Sequence, residues 1–191
     1  MEVGTENSVE EVERRIELNE EVLSGSAKDA NMTSTQRKVQ RVLLMVGIPG
    51  SGKSTVSRRF EQFGWTRINQ DELKTRKKCE ALFSEAYQNG RNIVVDRCNV
   101  TRDQRKPWLD KCKELDCSVG AIVMAVSIDT CVARMKSRTD HETIKPSSNL
   151  YAIAKNFASQ MEVPSPEEGI NFCRFIRTES DIDRVLTELL T

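Results

Sequence analysis

The chain has 191 residues, 38% of them hydrophobic and 30% charged, with a formal net charge of zero, enough for one domain with a real core. No run approaches the roughly 20 apolar residues of a membrane span, and the acidic start MEVGTENSVEEVERR lacks the apolar stretch of a signal peptide, so the expected address is intracellular, nuclear or cytoplasmic, with no membrane. The charge is uneven: residues 1–30 carry nine acids against three bases, a net of −6, and the remainder is +6, which fits an anionic substrate and equally a solvated surface balanced by an acidic tail.

Residues 1–38 read as an acidic, partly disordered extension ahead of a domain over 39–191. Val9, Val12, Ile16 and Leu23 are spaced for a short amphipathic helix, and SGSAKDANMTSTQ has linker composition. From Arg41 the pattern becomes alternating strands and helices. RVLLMVG predicts a buried strand ending at glycine, followed by a helix over Lys53–Phe63. WTRIN predicts a short second strand, and the stretch Asp71–Gln88 one helix that stops at NG. NIVVD is a third strand. TRDQ is a capping box in which Thr101 and Gln104 satisfy each other's backbone donors, opening a helix to about Asp116. VGAIVMAVSI predicts a central strand, and Asp129 the N-cap of a helix through Arg138. The polar segment TDHETIKPSSN, a helix over Leu150–Gln160, the loop EVPSPEEG, the strand NFCRFI and a helix from Ser180 complete the chain. This alternation predicts an α/β fold: a parallel sheet of about five strands with helices on both faces. Ligands of such sheets bind beyond the carboxyl ends of the strands.

The six cysteines contain no Cys-x-x-Cys pair, and His141 is the one histidine. A structural zinc site is therefore not expected. Cys131 and Cys173 lie in apolar surroundings and read as small buried hydrophobes. The thiols are expected to be reduced.

GIPGSGKST starts where the first strand ends. Gly47, Gly52, Lys53 and Ser54 complete the G-x-x-x-x-G-K-S pattern of a P-loop. Pro49, Gly50, Ser51 and Gly52 would turn backbone N–H groups toward phosphate oxygens. Lys53 would reach the β- and γ-phosphates, Ser54 would ligate Mg²⁺, and Thr55 adjoins them. The expected cofactors are ATP (or GTP) and Mg²⁺. The third strand ends at Asp96, an acid placed to hold the metal's hydration shell or orient the nucleotide. Arg97, Cys98 and Asn99 follow at the same sheet edge. Arg134 and Arg138 are four apart on one helix face and suit a phosphate clamp, because a guanidinium stays charged and makes forked hydrogen bonds. In INQDELKTRKK, Asp71 and Glu72 precede Lys74, Arg76, Lys77 and Lys78. In isolation this is a charged helix start with Asp71 as N-cap and Glu72 on the surface.

Together, GIPGSGKST, NQDELK, VVDRCN, RMKSRTDH and VPSPEEGI resemble the P-loop 5′-hydroxyl polynucleotide kinase family over about Arg41–Arg177. Its members include the phage enzyme, the kinase domain of the animal kinase–phosphatase and the kinase-like domain of plant aprataxin-like proteins. The resemblance implies a P-loop kinase fold with a small arginine-bearing lid. It also implies that Asp71 accepts the proton of a 5′-OH as that oxygen attacks the γ-phosphoryl group. Lys53, Arg134 and Arg138 would then stabilise the transferred group, and Lys74, Arg97 and Asn99 would meet the acceptor. Two positions depart from the phage member: Lys74 and Gln70 each stand where it has arginine. The charge at Lys74 is kept but its fork is lost.

The expected activity is transfer of the γ-phosphate of a nucleoside triphosphate to the 5′-hydroxyl end of DNA or RNA. The alternatives are a P-loop kinase of a small-molecule hydroxyl (nucleoside, sugar or antibiotic) and a non-catalytic nucleotide-binding switch. No protein partner is named by the sequence.

Overall fold

The computed structural model describes residues 39–137 and 149–191. The expected extension over 1–38, with its short helix, lies outside the described residues, as do Arg138 and His141. The chain runs β1 (Arg41–Val46), α1 (Lys53–Gln62), β2 (Thr66–Asn69), α2 (Gln70–Leu73), α3 (Arg76–Gln88), β3 (Ile93–Asp96), α4 (Arg102–Glu114), β4 (Ser118–Met124), α5 (Ile128–Ser137), α6 (Leu150–Ser159), a 3-10 turn (Pro166–Glu168), β5 (Phe172–Ile176) and α7 (Glu179–Leu190). The five strands pair in parallel in the order β2-β3-β1-β4-β5, the five-stranded α/β sheet expected.

Side chains alternate across the sheet along β1. Leu43 and Met45 pack with Val56 and Phe60 of α1 and with Val185 and Leu189 of α7. Val42 and Leu44 pack with Phe83 of α3 and Trp108 of α4. Both faces are covered, so RVLLMV can be apolar throughout instead of alternating with polar residues. Val42 to Val46 are fully buried, and each such side chain contributes about 1.5–3 kcal/mol relative to exposure.

The connections leave β1 and β3 in opposite directions. One crossover carries the chain from β1 past β3 to β2, and another carries it from β3 past β1 to β4. Their carboxyl ends therefore flank the crevice where a doubly wound sheet binds ligands. The helix pair α5–α6 packs on itself through Val132, Met135, Ala154 and Phe157 and against Ile48 of the first loop. No helix among the described residues is long and apolar enough to cross a membrane.

Three local expectations change. The single helix over 71–88 is two, because Lys74 takes a left-handed φ of 66° and Thr75 restarts the chain as N-cap, its Oγ1 accepting from Lys78 N at 3.3 Å. The box at Thr101 is half as expected: Thr101 Oγ1 accepts from Gln104 N, but Gln104 Oε1 accepts from the N–H of Val100, one residue earlier than expected. Asp129 lies inside the first turn of α5, and the N–H of Thr130 bonds to Ser127 Oγ instead. The cysteines are free thiols. Cys131 and Cys173 are buried as expected, and burial pushes the Cys173 thiol up to about 12.

The RDQR and VPSPEEGI blocks meet at Arg105, which is fully buried on α4. Its Nε and Nη2 donate to the two carboxylate oxygens of Glu168, each at 2.8 Å. Its Nη1 donates to the carbonyls of Asn99 at 2.9 Å and Glu162 at 3.0 Å. The segment after α6 is thereby clasped to the loop after β3. A buried charge persists only when it is paired and fully bonded. Glu168→Ala, which strands the guanidinium, should therefore lower stability by about 3–5 kcal/mol in urea unfolding.

Candidate active site

The first wall of the site follows from glycine. Gly50 has a φ of 82°, and a Cβ there would meet the Cys131 carbonyl oxygen at 2.4 Å. Only glycine lets the loop fold inward while lying against α5. The loop ends in α1, whose N-terminus presents unpaired N–H groups toward the crevice. Lys53 is buried at this helix start. Its Nζ donates to the Ile48 carbonyl at 2.8 Å and lies 3.5 Å from Ser51 Oγ, so the ammonium is held inside the curl of the loop. Arg134 of α5 donates from Nη1 to the Ser51 carbonyl at 3.2 Å. Gly47 N donates to the Cys98 carbonyl at 2.9 Å, joining this loop to the one after β3.

The second wall is the end of β2. Asn69 is the last strand residue and also the N-cap of α2. Its Oδ1 accepts from Asp71 N at 2.8 Å and Glu72 N at 3.3 Å. The capping role expected of Asp71 thus belongs to Asn69, two residues earlier, and the Asp71 carboxylate is left exposed on the cleft. Register pairs Asn69 with Asp96. Asp96 is buried, and its Oδ2 accepts from Arg67 Nη2 at 2.6 Å, Arg67 Nε at 2.9 Å and Asn69 Nδ2 at 3.1 Å.

These walls enclose a cleft of about 480 Å³. Pro49, Gly50, Gly52, Lys53 and Ser54 line one side. Asp71, Gln70 and Asn69 line another, with Asp96, Arg97 and Cys98 between them. A second cleft of about 330 Å³ opens across the same loop beside Ser51, Thr55, Arg134 and Thr178. Gly52 borders both. A ligand threading the loop would therefore have one end in each.

Two expected acceptor contacts stand elsewhere. Asn99, expected to face substrate, is fully buried with a left-handed φ of 46°, and its Nδ2 donates to the Met45 carbonyl at 2.9 Å. It braces the end of β1 from beneath, because a left-handed turn aims its amide into the sheet. Lys74 is exposed on the corner between α2 and α3 and does not line the cleft.

Four contributors were missed. Ile153 and Phe157, one helical turn apart on α6, form an apolar wall of the cleft. Their i, i+4 spacing was the available signal. Glu72, read as a surface acid, accepts from Arg67 Nη1 at 2.8 and 3.0 Å. Arg67 itself sits two residues before Asn69 in a strand, so both side chains share a face. Burial works against its charge, but hydrogen bonds to Glu72 and Asp96 more than compensate and hold its pKa above the ordinary value.

A sequence model described as an AAA domain matches residues 42–81 and 74–161, more than half of the chain. The chain belongs to this AAA domain family. Among its relatives, the Arabidopsis thaliana protein named transcription factor bHLH140 is 29% identical over 155 residues, 77% of this chain and 17% of that protein. The bifunctional polynucleotide phosphatase/kinase of Schizosaccharomyces pombe is 34% identical over 132 residues, 68% of this chain and 32% of that protein. The chain thus spans about a sixth of the first relative's length and a third of the second's. In fold it matches a fungal RNA kinase with a TM-score of 0.64 at 18% identity, over 81% of this chain and 87% of that one. It also matches Chaetomium thermophilum Kti12, with a TM-score of 0.58 at 14% identity over 78% and 96%. At these identities the shared property is the fold of P-loop kinases.

Gly50→Ala tests the close approach of the loop to α5. Both the collision with Cys131 and the positive φ oppose it, so the variant should lose nucleotide binding in calorimetry and melt several degrees lower.

Proposed function

We propose that the protein transfers the γ-phosphate of a nucleoside triphosphate to the 5′-hydroxyl end of a nucleic acid. One observation carries the proposal: a single cleft is lined at once by the phosphate-binding loop, with Lys53 and Ser54, and by the exposed carboxylate of Asp71. The first suits a phosphate chain, and the second suits removal of a proton beside it. Likeness to a polynucleotide phosphatase/kinase supports a nucleic-acid acceptor.

In this reading the triphosphate lies along the P-loop N–H groups, and the nucleoside occupies the second cleft beside Arg134 and Thr178. The acceptor enters the first cleft. Its O5′ attacks the γ-phosphorus while its proton passes to Asp71, an O5′–P bond forms, and the bond to the bridging β,γ-oxygen breaks to release the nucleoside diphosphate. Lys53 and Arg134 stabilise the charge on the transferred group, and Arg138 is expected to join them. Positioning and charge stabilisation dominate such transfers, so few reacting side chains are required.

The residues also fit Mg²⁺. Ser54 and Asp96 are hard oxygen donors on one cleft, the kind of partial ligand set that Mg²⁺ takes when phosphates and waters complete its octahedron. When bound, Mg²⁺ would neutralise charge on the β- and γ-oxygens.

A strand of nucleic acid would leave the cleft past Arg97 and the exposed Lys77 and Lys78 at the start of α3. Arg97 is close enough to α3 for its charge to act on the Cys79 thiol, which burial pushes up and Arg97 draws down. A small-molecule acceptor is the second reading, favoured by the apolar wall of Ile153 and Phe157 and a cleft volume that suits a nucleoside.

Transfer from labelled ATP or GTP to 5′-OH DNA, 5′-OH RNA and a nucleoside panel tests both readings. Labelled oligonucleotide is expected; label only in nucleosides would overturn the first. Asp71→Asn should reduce transfer by about 10²–10⁴-fold with ATP affinity unchanged. Lys77→Ala with Lys78→Ala should raise the oligonucleotide KM at low salt and have a smaller effect as salt rises, since phosphate contacts act through counterion release.

A further inference from the structure

Arg67 touches every functional element on one side of the cleft. Its Nη2 and Nε hold Asp96 Oδ2 at 2.6 and 2.9 Å. Its Nη1 holds both oxygens of Glu72, on the short helix that carries Asp71. Its Nε also donates to Ser57 Oγ at 3.0 Å, and that hydroxyl donates to the Ser54 carbonyl at 3.3 Å. The Arg67 side chain is 3% exposed and that of Asp96 2%, so these bonds are shielded from water. Glu72 is about half exposed, at 55%, and is the rim of the same network.

We infer that Arg67 is a positioning residue that fixes the metal-side acid and the base-bearing helix in one register. Among the described residues, each side-chain hydrogen bond to Asp96 falls on Oδ2. This consumes one oxygen, fixes the carboxylate plane and leaves Oδ1 for the hydration shell of a bound ion. Glu72 does the equivalent for α2. That helix is only four residues long, too short to hold itself; the Asn69 cap anchors its start, the Glu72 pair its middle and Leu73, packed on the core, its end. A planar guanidinium can bond in three directions at once; an ammonium keeps the charge but not the fork. Outer partners of this kind are typically worth about 10–100-fold in metal affinity or activity.

The inference rests on the kinase reading for α2 but not for Asp96, and the test separates the two. Arg67→Lys and Glu72→Gln are compared with the unaltered chain. The measurements are binding of a fluorescent ATP analogue as Mg²⁺ is titrated, kcat and KM for a 5′-OH oligonucleotide, and the folded fraction by circular dichroism. Arg67→Lys should keep its metal-free nucleotide affinity, need about tenfold more Mg²⁺ for half-maximal enhancement of binding, and lose kcat. Glu72→Gln should leave the Mg²⁺ dependence unchanged and lower kcat per folded molecule about tenfold. Losses in Arg67→Lys that only track the folded fraction, with an unshifted Mg²⁺ midpoint, would overturn the inference. Should Arg67→Lys fail to fold, Glu72→Gln decides alone, and an unchanged kcat and KM overturn it. Should the unaltered chain label no oligonucleotide, the kinase reading fails while the Mg²⁺-linked binding still tests the tie to Asp96.

Discussion

The cleft depends on the hydrogen bond from the Gly47 amide to the Cys98 carbonyl. It joins the loops that follow β1 and β3, the two strands whose connections depart in opposite directions. The topology already sets the phosphate-binding curl and the acid at the end of β3 beside one crevice, and this bond ties their two loops together. Asn99 reinforces it by bonding the carbonyl of Met45 on β1, two residues before Gly47. Arg105 in turn pins the Asn99 carbonyl from the other side. The sheet supplies rough adjacency at the spacing of paired strands, and these buried polar bonds refine it to the tolerance that positional catalysis demands.

Charge is distributed in the same layered way. Arg97 and Lys77 lie half open or open and Lys53 is buried inside the loop it serves, whereas Arg67 and Arg105 are buried away from any ligand and each is matched by carboxylate oxygens. The buried pair is costly to dehydrate and is held by geometry, not by simple attraction. Each guanidinium joins segments distant in sequence. These two residues therefore act on the shape of the site, and the exposed cations act on what approaches it.

Much of this was legible in the sequence because the signals are local. RVLLMV followed by GIPGSGKST announces a buried strand, a glycine turn and a helix within a single window, and the structure has all three. Asp96 was singled out because it closes a strand in a chain that carries a phosphate-loop pattern, and Asp71 because NQDELK resembles the family's block after the second strand. What escaped notice depends on partners far along the chain. Arg67 looks like any arginine in a short strand until β3 brings Asp96 beside it. Asn99 was assigned to the acceptor because a loop residue beside the site is expected to face it; a left-handed φ turns it inward, and nothing in DRCN reports that angle. The break at Lys74 likewise hides in helical composition, since the residues on both sides favour helix and only the packing of α2 on the end of β2 forces the corner.

The join between β2 and α2 has a consequence for how this protein can vary. Asn69 ends the strand and caps the helix at once, so no loop separates the sheet from the helix that carries Asp71. One added residue would turn the helix by about 100° and swing the carboxylate away from the phosphate loop. The corner at Lys74 and Thr75 is different, because a left-handed residue followed by a fresh cap already interrupts the helical phase there. Length changes among related chains should therefore collect after α2 and be absent before it, leaving a rigid edge on the cleft beside a surface free to vary.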